Sequence, residues 1–122
     1  MKSILIVDDN ASLALAIKRG LMQEYNCIVA FDEHTAINTF LDRNFDIAIM
    51  DILLPDGISG IGLAKKFRDY SKDLPIIAIS GYVTEEVTEL APKLFSGYLQ
   101  KPFSLNELRA VLRELDDKVL DR

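Results

Sequence analysis

The sequence predicts an α/β fold of the (βα)5 type, in which a doubly wound, five-stranded parallel sheet lies between two layers of helices as a three-layer sandwich. Short runs rich in Ile and Val alternate with longer amphipathic stretches along the 122 residues. Most of the short runs are apolar at consecutive positions, as expected for parallel strands that are covered on both faces. No linker or low-complexity segment interrupts this alternation, so residues 1–122 are predicted to form one domain.

Five runs are predicted to be strands, and five helices are predicted to alternate with them. The predicted strands are residues 3–7, 27–31, 47–50, 76–79 and 97–99. The first helix should lie within residues 11–25, with an apolar face at the helical i, i+3, i+4, i+7 spacing. That face comprises Leu13, Ala16, Ile17, Gly20 and Leu21.

The other helices are predicted from weaker periodicity and from start signals. Residues 33–44 and 87–95 are shorter candidates, and Pro92 should kink or end the second of these. Residues 104–107, "SLNE", form a capping box that should start the last helix. Its buried stripe should comprise Leu105, Leu108, Val111, Leu112 and Leu115.

Composition and charge exclude several classes of function. The net charge of −5 argues against a general binder of phosphate backbones, so direct nucleic-acid binding is not expected. The single cysteine, Cys27, lies in an apolar run and is interpreted as a buried small hydrophobe. No apolar stretch is long enough to span a membrane, and no signal-peptide core is present. We therefore expect a soluble cytoplasmic protein that does not bind membranes.

Polar side chains follow the carboxyl ends of four predicted strands. Asp8 and Asp9 follow the first, Asp51 the third, Ser80 the fourth and Lys101 the fifth. In a doubly wound sheet these ends share one edge, and ligands collect there near the point where the strand order reverses. Clustered carboxylates repel one another, and a hard divalent cation such as Mg²⁺ would remove that cost.

These motifs, taken in order, resemble the receiver domain of two-component response regulators, the CheY-like family of flavodoxin-like fold. The resemblance covers essentially the whole chain. The matching features are the acidic pair Asp8 and Asp9, "DILLP" beginning at Asp51, "ISG" around Ser80, and "QKPF" around Lys101. Each motif is weak alone, but together they are specific.

The resemblance implies a metal-dependent phosphoryl acceptor. Asp51 would be the nucleophile and phosphoacceptor, forming an acyl phosphate. Asp9 and Asp51 would ligate Mg²⁺ (or Mn²⁺) directly, the main-chain carbonyl of Leu53 would be a third protein ligand, and Asp8 would act largely through water. Such a protein would catalyse its own phosphorylation and slow dephosphorylation, which differs from the activity of a metabolic enzyme.

The resemblance also implies how the phosphoryl group is held and read. Ser80, Gly81 and Lys101 would bind it, and Ser80 and Tyr98 would be the switch residues. A cis peptide between Lys101 and Pro102 is usual in the family. The phosphodonor would be a sensor histidine kinase or a histidine phosphotransfer protein.

The family's output surface is the face formed by its fourth helix, fifth strand and fifth helix. An output protein or domain would bind there, and the same face could form a homodimer promoted by phosphorylation.

Three departures from the family pattern are visible. Gly60 falls one residue later than the commonest spacing after Asp51, which predicts a longer loop into the third helix. Ser80 replaces the commoner threonine. Leu53 and Tyr82 are bulky at positions that flank the phosphoryl group, and this predicts a long-lived phosphoryl-aspartate.

Three other functions are compatible with an α/β domain of this size. The first is an interaction module that works independently of phosphorylation, although folding alone does not require Asp9, Asp51, Ser80 and Lys101 together. A haloacid-dehalogenase-like phosphatase would carry an aspartate at position 53, where this chain has leucine. A nucleotide-binding flavodoxin-like protein would carry a glycine-rich loop after the first strand, where this chain has "DDNAS".

Overall fold

The computed structural model describes residues 1–52, 60–81 and 94–120, with side chains described as far as residue 115. The strands are β1 (Ser3–Val7), β2 (Asn26–Ala30), β3 (Ile47–Asp51), β4 (Ile76–Ser80) and β5 (Gly97–Gln100). The helices in these ranges are α1 (Ala11–Leu21), α2 (Glu33–Asp42), α3 (Gly60–Tyr70) and the C-terminal helix (Leu105–Leu120).

All five strands pair in parallel in one sheet, in the order β2-β1-β3-β4-β5. The order reverses between β1 and β3, which are neighbours although β2 lies between them in the chain. This topology confirms the predicted doubly wound sheet. It also places the carboxyl ends of β1 and β3 side by side, where a doubly wound sheet binds its ligands.

Helices cover both faces of the sheet, because alternate residues of each buried strand point to opposite sides. In β1, Leu5 and Val7 pack into a cluster with Ala36 of α2 and Phe67 of α3. Ile4 of the same strand packs into a second cluster. That cluster contains residues of α1 and of the C-terminal helix. Continuous apolar runs in the sequence therefore correspond to strands buried on two sides, as predicted.

Side-chain caps start three of the helices. Asn10 Oδ1 accepts a hydrogen bond from the main-chain N–H of Leu13 at 3.1 Å, and Asp32 Oδ1 accepts one from Thr35 at 2.7 Å. At the C-terminal helix, Ser104 Oγ accepts from the N–H of Glu107 at 3.1 Å, and Glu107 Oε1 accepts from the N–H of Ser104 at 3.3 Å. This reciprocal pair is the predicted capping box.

The predicted apolar face of α1 is wrong at Ala16 and omits Ala14. The buried residues are Ala14, Ile17 and Leu21, whereas Ala16 is exposed. A Cβ on Gly20 would collide with the Leu105 side chain, so this side of α1 lies close to the C-terminal helix. The buried side of α1 therefore includes Ala14, which the prediction omitted.

The bounds of β2 differ slightly from the prediction, and two predictions fall on residues that are not described. The strand β2 begins one residue earlier and ends one residue earlier than predicted, at Ala30, and Cys27 within it is only half-buried. Most of the predicted helix at 87–95, and the predicted loop before Gly60, lie outside the described residues. Within the described ranges, no helix has both the length and the apolarity to cross a membrane.

Candidate functional site

Three carboxylates meet at the carboxyl edge of the sheet. Val7 of β1 is paired with Met50 of β3, and Asp8 and Asp51 each lie one residue beyond this pair. One carboxylate oxygen from each of Asp8, Asp9 and Asp51 lies within 4.8 Å of the other two. The structure therefore brings together the acidic residues that the sequence places at two separate strand ends.

Main-chain hydrogen bonds hold this edge in place. The N–H of Asp8 donates to the Ala30 carbonyl at 3.1 Å, and the N–H of Ile52 donates to the Ile79 carbonyl at 3.0 Å. These bonds extend the sheet ladder to Asp8 after β1 and beyond Asp51 after β3. The carboxylates are thus fixed to strands that are paired on both sides.

The environments of the adjacent residues Asp8 and Asp9 differ sharply. Asp8 is completely buried, whereas Asp9 is exposed. Burial raises the pKa of Asp8, and the nearby charge of Asp51 raises it further. A hydrogen bond of 2.9 Å from the Asn10 N–H to Asp8 Oδ1, and the charge of Lys101, oppose this rise without cancelling it.

Lys101 reaches the acidic cluster from just beyond β5. Its main-chain N–H donates to the Ser80 carbonyl at 2.7 Å, and its Nζ lies 2.9 Å from Asp51 Oδ2 and 3.2 Å from Asp8 Oδ2. Burial alone would lower the pKa of Lys101, but the hydrogen bond to Asp51 and the charges of both aspartates outweigh burial and raise the pKa. The peptide bond between Lys101 and Pro102 is cis.

The donor set suits a divalent cation. Asp8 Oδ2 is buried, and its contact with Lys101 has the distance of an ion pair but not the geometry of a hydrogen bond, so within the described ranges this oxygen lacks a hydrogen-bond partner. One ammonium group faces three carboxylates, which leaves a local excess of negative charge if all three are ionised. Oxygen donors in this number are the ligands that Mg²⁺ prefers, and exposed Asp9 leaves the cluster open to solvent.

Ser80 and Gly81 border the cluster at the end of β4. Ser80 is buried and is paired with Gln100, next to Lys101. Gly81 is exposed, and a Cβ at this position would meet no atom of the described residues within 4 Å. Among the described residues, the space beside Gly81 is therefore open.

The remaining predicted site residues are Tyr98, Leu53 and Tyr82. Tyr98 lies in β5, is half-buried, and packs against the cluster formed with α2 and α3. Burial raises the pKa of its hydroxyl. Leu53 and Tyr82 lie outside the described residues.

Gly60 has a contact at the site that spacing alone did not indicate. Its N–H donates to the Ile52 carbonyl, and a Cβ at Gly60 would meet the carbonyl oxygen of Asp51 and, at 2.8 Å, the Cα of Ile52. A glycine is needed because the start of α3 runs directly against the main chain of Asp51. A glycine at a predicted helix start shortly after Asp51 was the only signal in the sequence.

A doubly wound domain with a carboxylate and lysine cluster at the switch point of its sheet has the architecture of a signalling receiver. The family model for the response regulator receiver domain matches residues 4–113. This match covers most of the chain, so the protein belongs to the response regulator receiver domain family.

Curated relatives are longer than this chain. The chain is 36% identical over 115 residues to a probable transcriptional regulator, ycf27, of Guillardia theta, a match that covers 92% of the chain and 44% of that protein. It is 32% identical over 116 residues to the autoinducer 1 sensor kinase/phosphatase LuxN of Vibrio campbellii, with 90% of the chain and 13% of that protein covered. The chain therefore spans less than half the length of both relatives.

Solved structures of receiver proteins share the fold. The response regulator TrrA of Thermotoga maritima, solved in complex with Mg²⁺-BeF, aligns with a TM-score of 0.82 at 32% identity, covering 94% of this chain and 99% of that one. A CheY-like receiver domain protein of Methanospirillum hungatei aligns with a TM-score of 0.90 at 25% identity, covering 100% and 99% of the two chains.

Proposed function

We propose that this receiver domain accepts a phosphoryl group on Asp51 from a phosphohistidine donor in a Mg²⁺-dependent reaction. The observation that carries the proposal is the convergence of Asp8, Asp9 and Asp51 within 4.8 Å, with Lys101 Nζ 2.9 Å from Asp51. The Mg²⁺-BeF complex of the TrrA protein supports it by similarity. In this proposal residues 1–122 form one receiver domain.

The transfer requires positioning and charge compensation more than covalent machinery. An oxygen of the Asp51 carboxylate attacks phosphorus, the P–N bond of phosphohistidine breaks, and its electron pair returns to the imidazole nitrogen. Bound Mg²⁺ would supply positive charge that reduces repulsion between the carboxylates and the phosphoryl oxygens. Asp9, Asp51 and the Leu53 carbonyl would hold the cation directly, and Asp8 would hold it largely through water.

The neighbouring side chains would bind the transferred group. The Lys101 ammonium already contacts Asp51 and would compensate charge on a phosphoryl oxygen, as a cation with three freely rotating donors can. The Ser80 hydroxyl and the Gly81 N–H would donate to other phosphoryl oxygens. The open space beside Gly81 supports this role.

Phosphorylation would then change the surface that partners recognise. Ser80 and Tyr98 would act as the switch residues and alter the face of the fourth helix, fifth strand and fifth helix of the family. The donor would be a sensor histidine kinase or a histidine phosphotransfer protein. An output protein or domain, or a second copy of this chain, would bind the altered face.

Intact-mass measurement with a small-molecule phosphodonor tests the proposal without a cognate kinase. Wild-type protein and Asp51→Asn are each incubated with acetyl phosphate, with and without Mg²⁺. We expect an adduct of about 80 Da, one covalently bound phosphoryl group, in the wild type only and only with the metal. An adduct that persists in Asp51→Asn would refute the assignment of the acceptor.

A second outcome would favour the alternative function. If folded wild-type protein takes up no phosphoryl group and binds no Mg²⁺, the domain is better described as an interaction module that works independently of phosphorylation.

A further inference from the structure

Arg68, near the end of α3, donates hydrogen bonds to residues that precede β4 and β5. These residues lie at the amino ends of the strands, opposite the acidic cluster. Its Nη1 donates to the Lys72 carbonyl at 2.9 Å and also to the Leu74 carbonyl, and its Nη2 donates to the Leu94 carbonyl at 2.8 Å. Leu74 lies two residues before β4, and Leu94 lies three residues before β5. One guanidinium group therefore joins the starts of both strands.

Partial burial of the Arg68 guanidinium costs solvation free energy, which indicates that the position of this side chain matters. Burial lowers the pKa of Arg68, with Asp73 opposing the change, and its Nε is buried without a hydrogen-bond partner in the described structure. Charge-assisted hydrogen bonds to three carbonyls offset this cost. A planar fork of donors is suited to such convergence, and a lysine ammonium is not.

The second segment that Arg68 contacts leads into β5, a short strand at the edge of the sheet. β5 has four residues and, among the described strands, pairs with β4 alone. Lys101 follows it directly, and the ammonium of Lys101 must extend past β4 to reach Asp51. A slip of one residue moves a strand by about 3.3 Å, which would break that contact.

We propose that Arg68 is a positioning residue for phosphoryl binding, which acts by holding β5 against β4 so that Lys101 reaches the acidic cluster. This inference rests on the proposed function of that cluster. The carboxylates themselves lie at the ends of β1 and β3, and the hydrogen bonds of Arg68 go to residues before β4 and β5 instead. Loss of Arg68 should therefore affect the binding of a phosphoryl group and spare the binding of the metal.

The test separates these two binding events in Arg68→Met, which keeps much of the side-chain length and removes the donors. Mg²⁺ alone and then beryllofluoride at saturating Mg²⁺ are titrated, and binding is followed by NMR. We expect the affinity for beryllofluoride to fall about tenfold or more, since a displacement of about 1 Å in a charge-stabilising group can cost up to about a hundredfold. The affinity for Mg²⁺ should not fall.

Three further variants give the test its controls. Lys66→Met, on the same helix, removes an exposed cation that pairs with Glu33 and should leave both affinities unchanged. Arg68→Lys should lie between Arg68→Met and wild type. In the Lys101→Met background, Arg68→Met should have no additional effect on beryllofluoride, because both changes then act through one contact.

Two results would overturn the inference. Beryllofluoride affinity equal to wild type in both Arg68 variants would show that Arg68 does not position the site. A parallel loss of Mg²⁺ affinity would show that Arg68 supports the fold as a whole. A wild type that binds neither ligand would instead refute the proposed function, so the two failures are distinguishable.

Discussion

Lys101→Met should destabilise the metal-free protein by about 2 kcal/mol, a value that follows from the contacts of the ammonium group. Unit charges at the observed 2.9 and 3.2 Å attract by roughly 5 to 6 kcal/mol per pair at an effective dielectric constant near 20. Most of that attraction offsets the desolvation of the partners, and removing one member of a fully buried pair costs about 3–5 kcal/mol. Because the Lys101 side chain is 26% exposed, we expect a smaller value.

The assay is urea unfolding at pH 7 in the presence of a chelator, followed by far-ultraviolet circular dichroism. Lys66→Met is the matched control, because its ion pair with Glu33 is similar in length, at 3.0 Å, but its side chain is 56% exposed. An exposed pair of this kind should contribute at most about 1 kcal/mol. Adding Mg²⁺ should stabilise Lys101→Met more than the wild type, because the cation then meets no competing ammonium group. If Lys101→Met is no less stable than Lys66→Met, the argument that Lys101 compensates the buried carboxylates is refuted.

Two other predictions concern Asp8 and Gly60. The pKa of Asp8 is raised in the folded state, by burial first and then by Asp51, so the native protein binds more protons and its metal-free stability should fall as pH rises from the ordinary value of 3.8 through the raised one. Asp8→Asn should therefore melt higher than metal-free wild type at pH 7, with a weaker pH dependence, and a lower melting temperature would contradict this. Gly60→Ala should cost about 1–3 kcal/mol through overpacking against the Asp51 main chain. Gly62→Ala, with open space around it, should stabilise by about 0.5–1 kcal/mol as a helix substitution; equal effects of the two changes in urea unfolding would refute the packing argument.

Local patterns predicted the strands because burial on both faces requires apolar residues at consecutive positions. The boundaries of β1 were predicted without error, and the other strands differed by one residue at one or both ends. Periodicity was less reliable for α1, where Ala16 was predicted in the apolar face and is exposed. Spacing within α1 does not encode which elements pack against it, and the close approach of Gly20 to Leu105 of the C-terminal helix is one such contact.

The contacts of Arg68 and Gly60 were not predicted, because they join segments that are not adjacent in the sequence. Arg68 donates to Leu94, 26 residues away in the chain, and Gly60 lies against the main chain of Asp51 and Ile52. Arg68 belongs to no motif identified in the sequence, and the spacing of Gly60 from Asp51 predicted a longer loop but not this contact. Contacts of this kind depend on which connections the fold brings together.

Local sequence patterns predict the order of strands and helices, and they place acidic, hydroxyl and ammonium groups after four of the five strands, because these properties depend on residues close together in the chain. Local patterns do not predict that Asp8 is buried while Asp9 is exposed, or that one ammonium group contacts both Asp8 and Asp51. Desolvation and charge pairing depend on distances between groups, and folding alone brings the ends of β1, β3 and β5 within reach of one another.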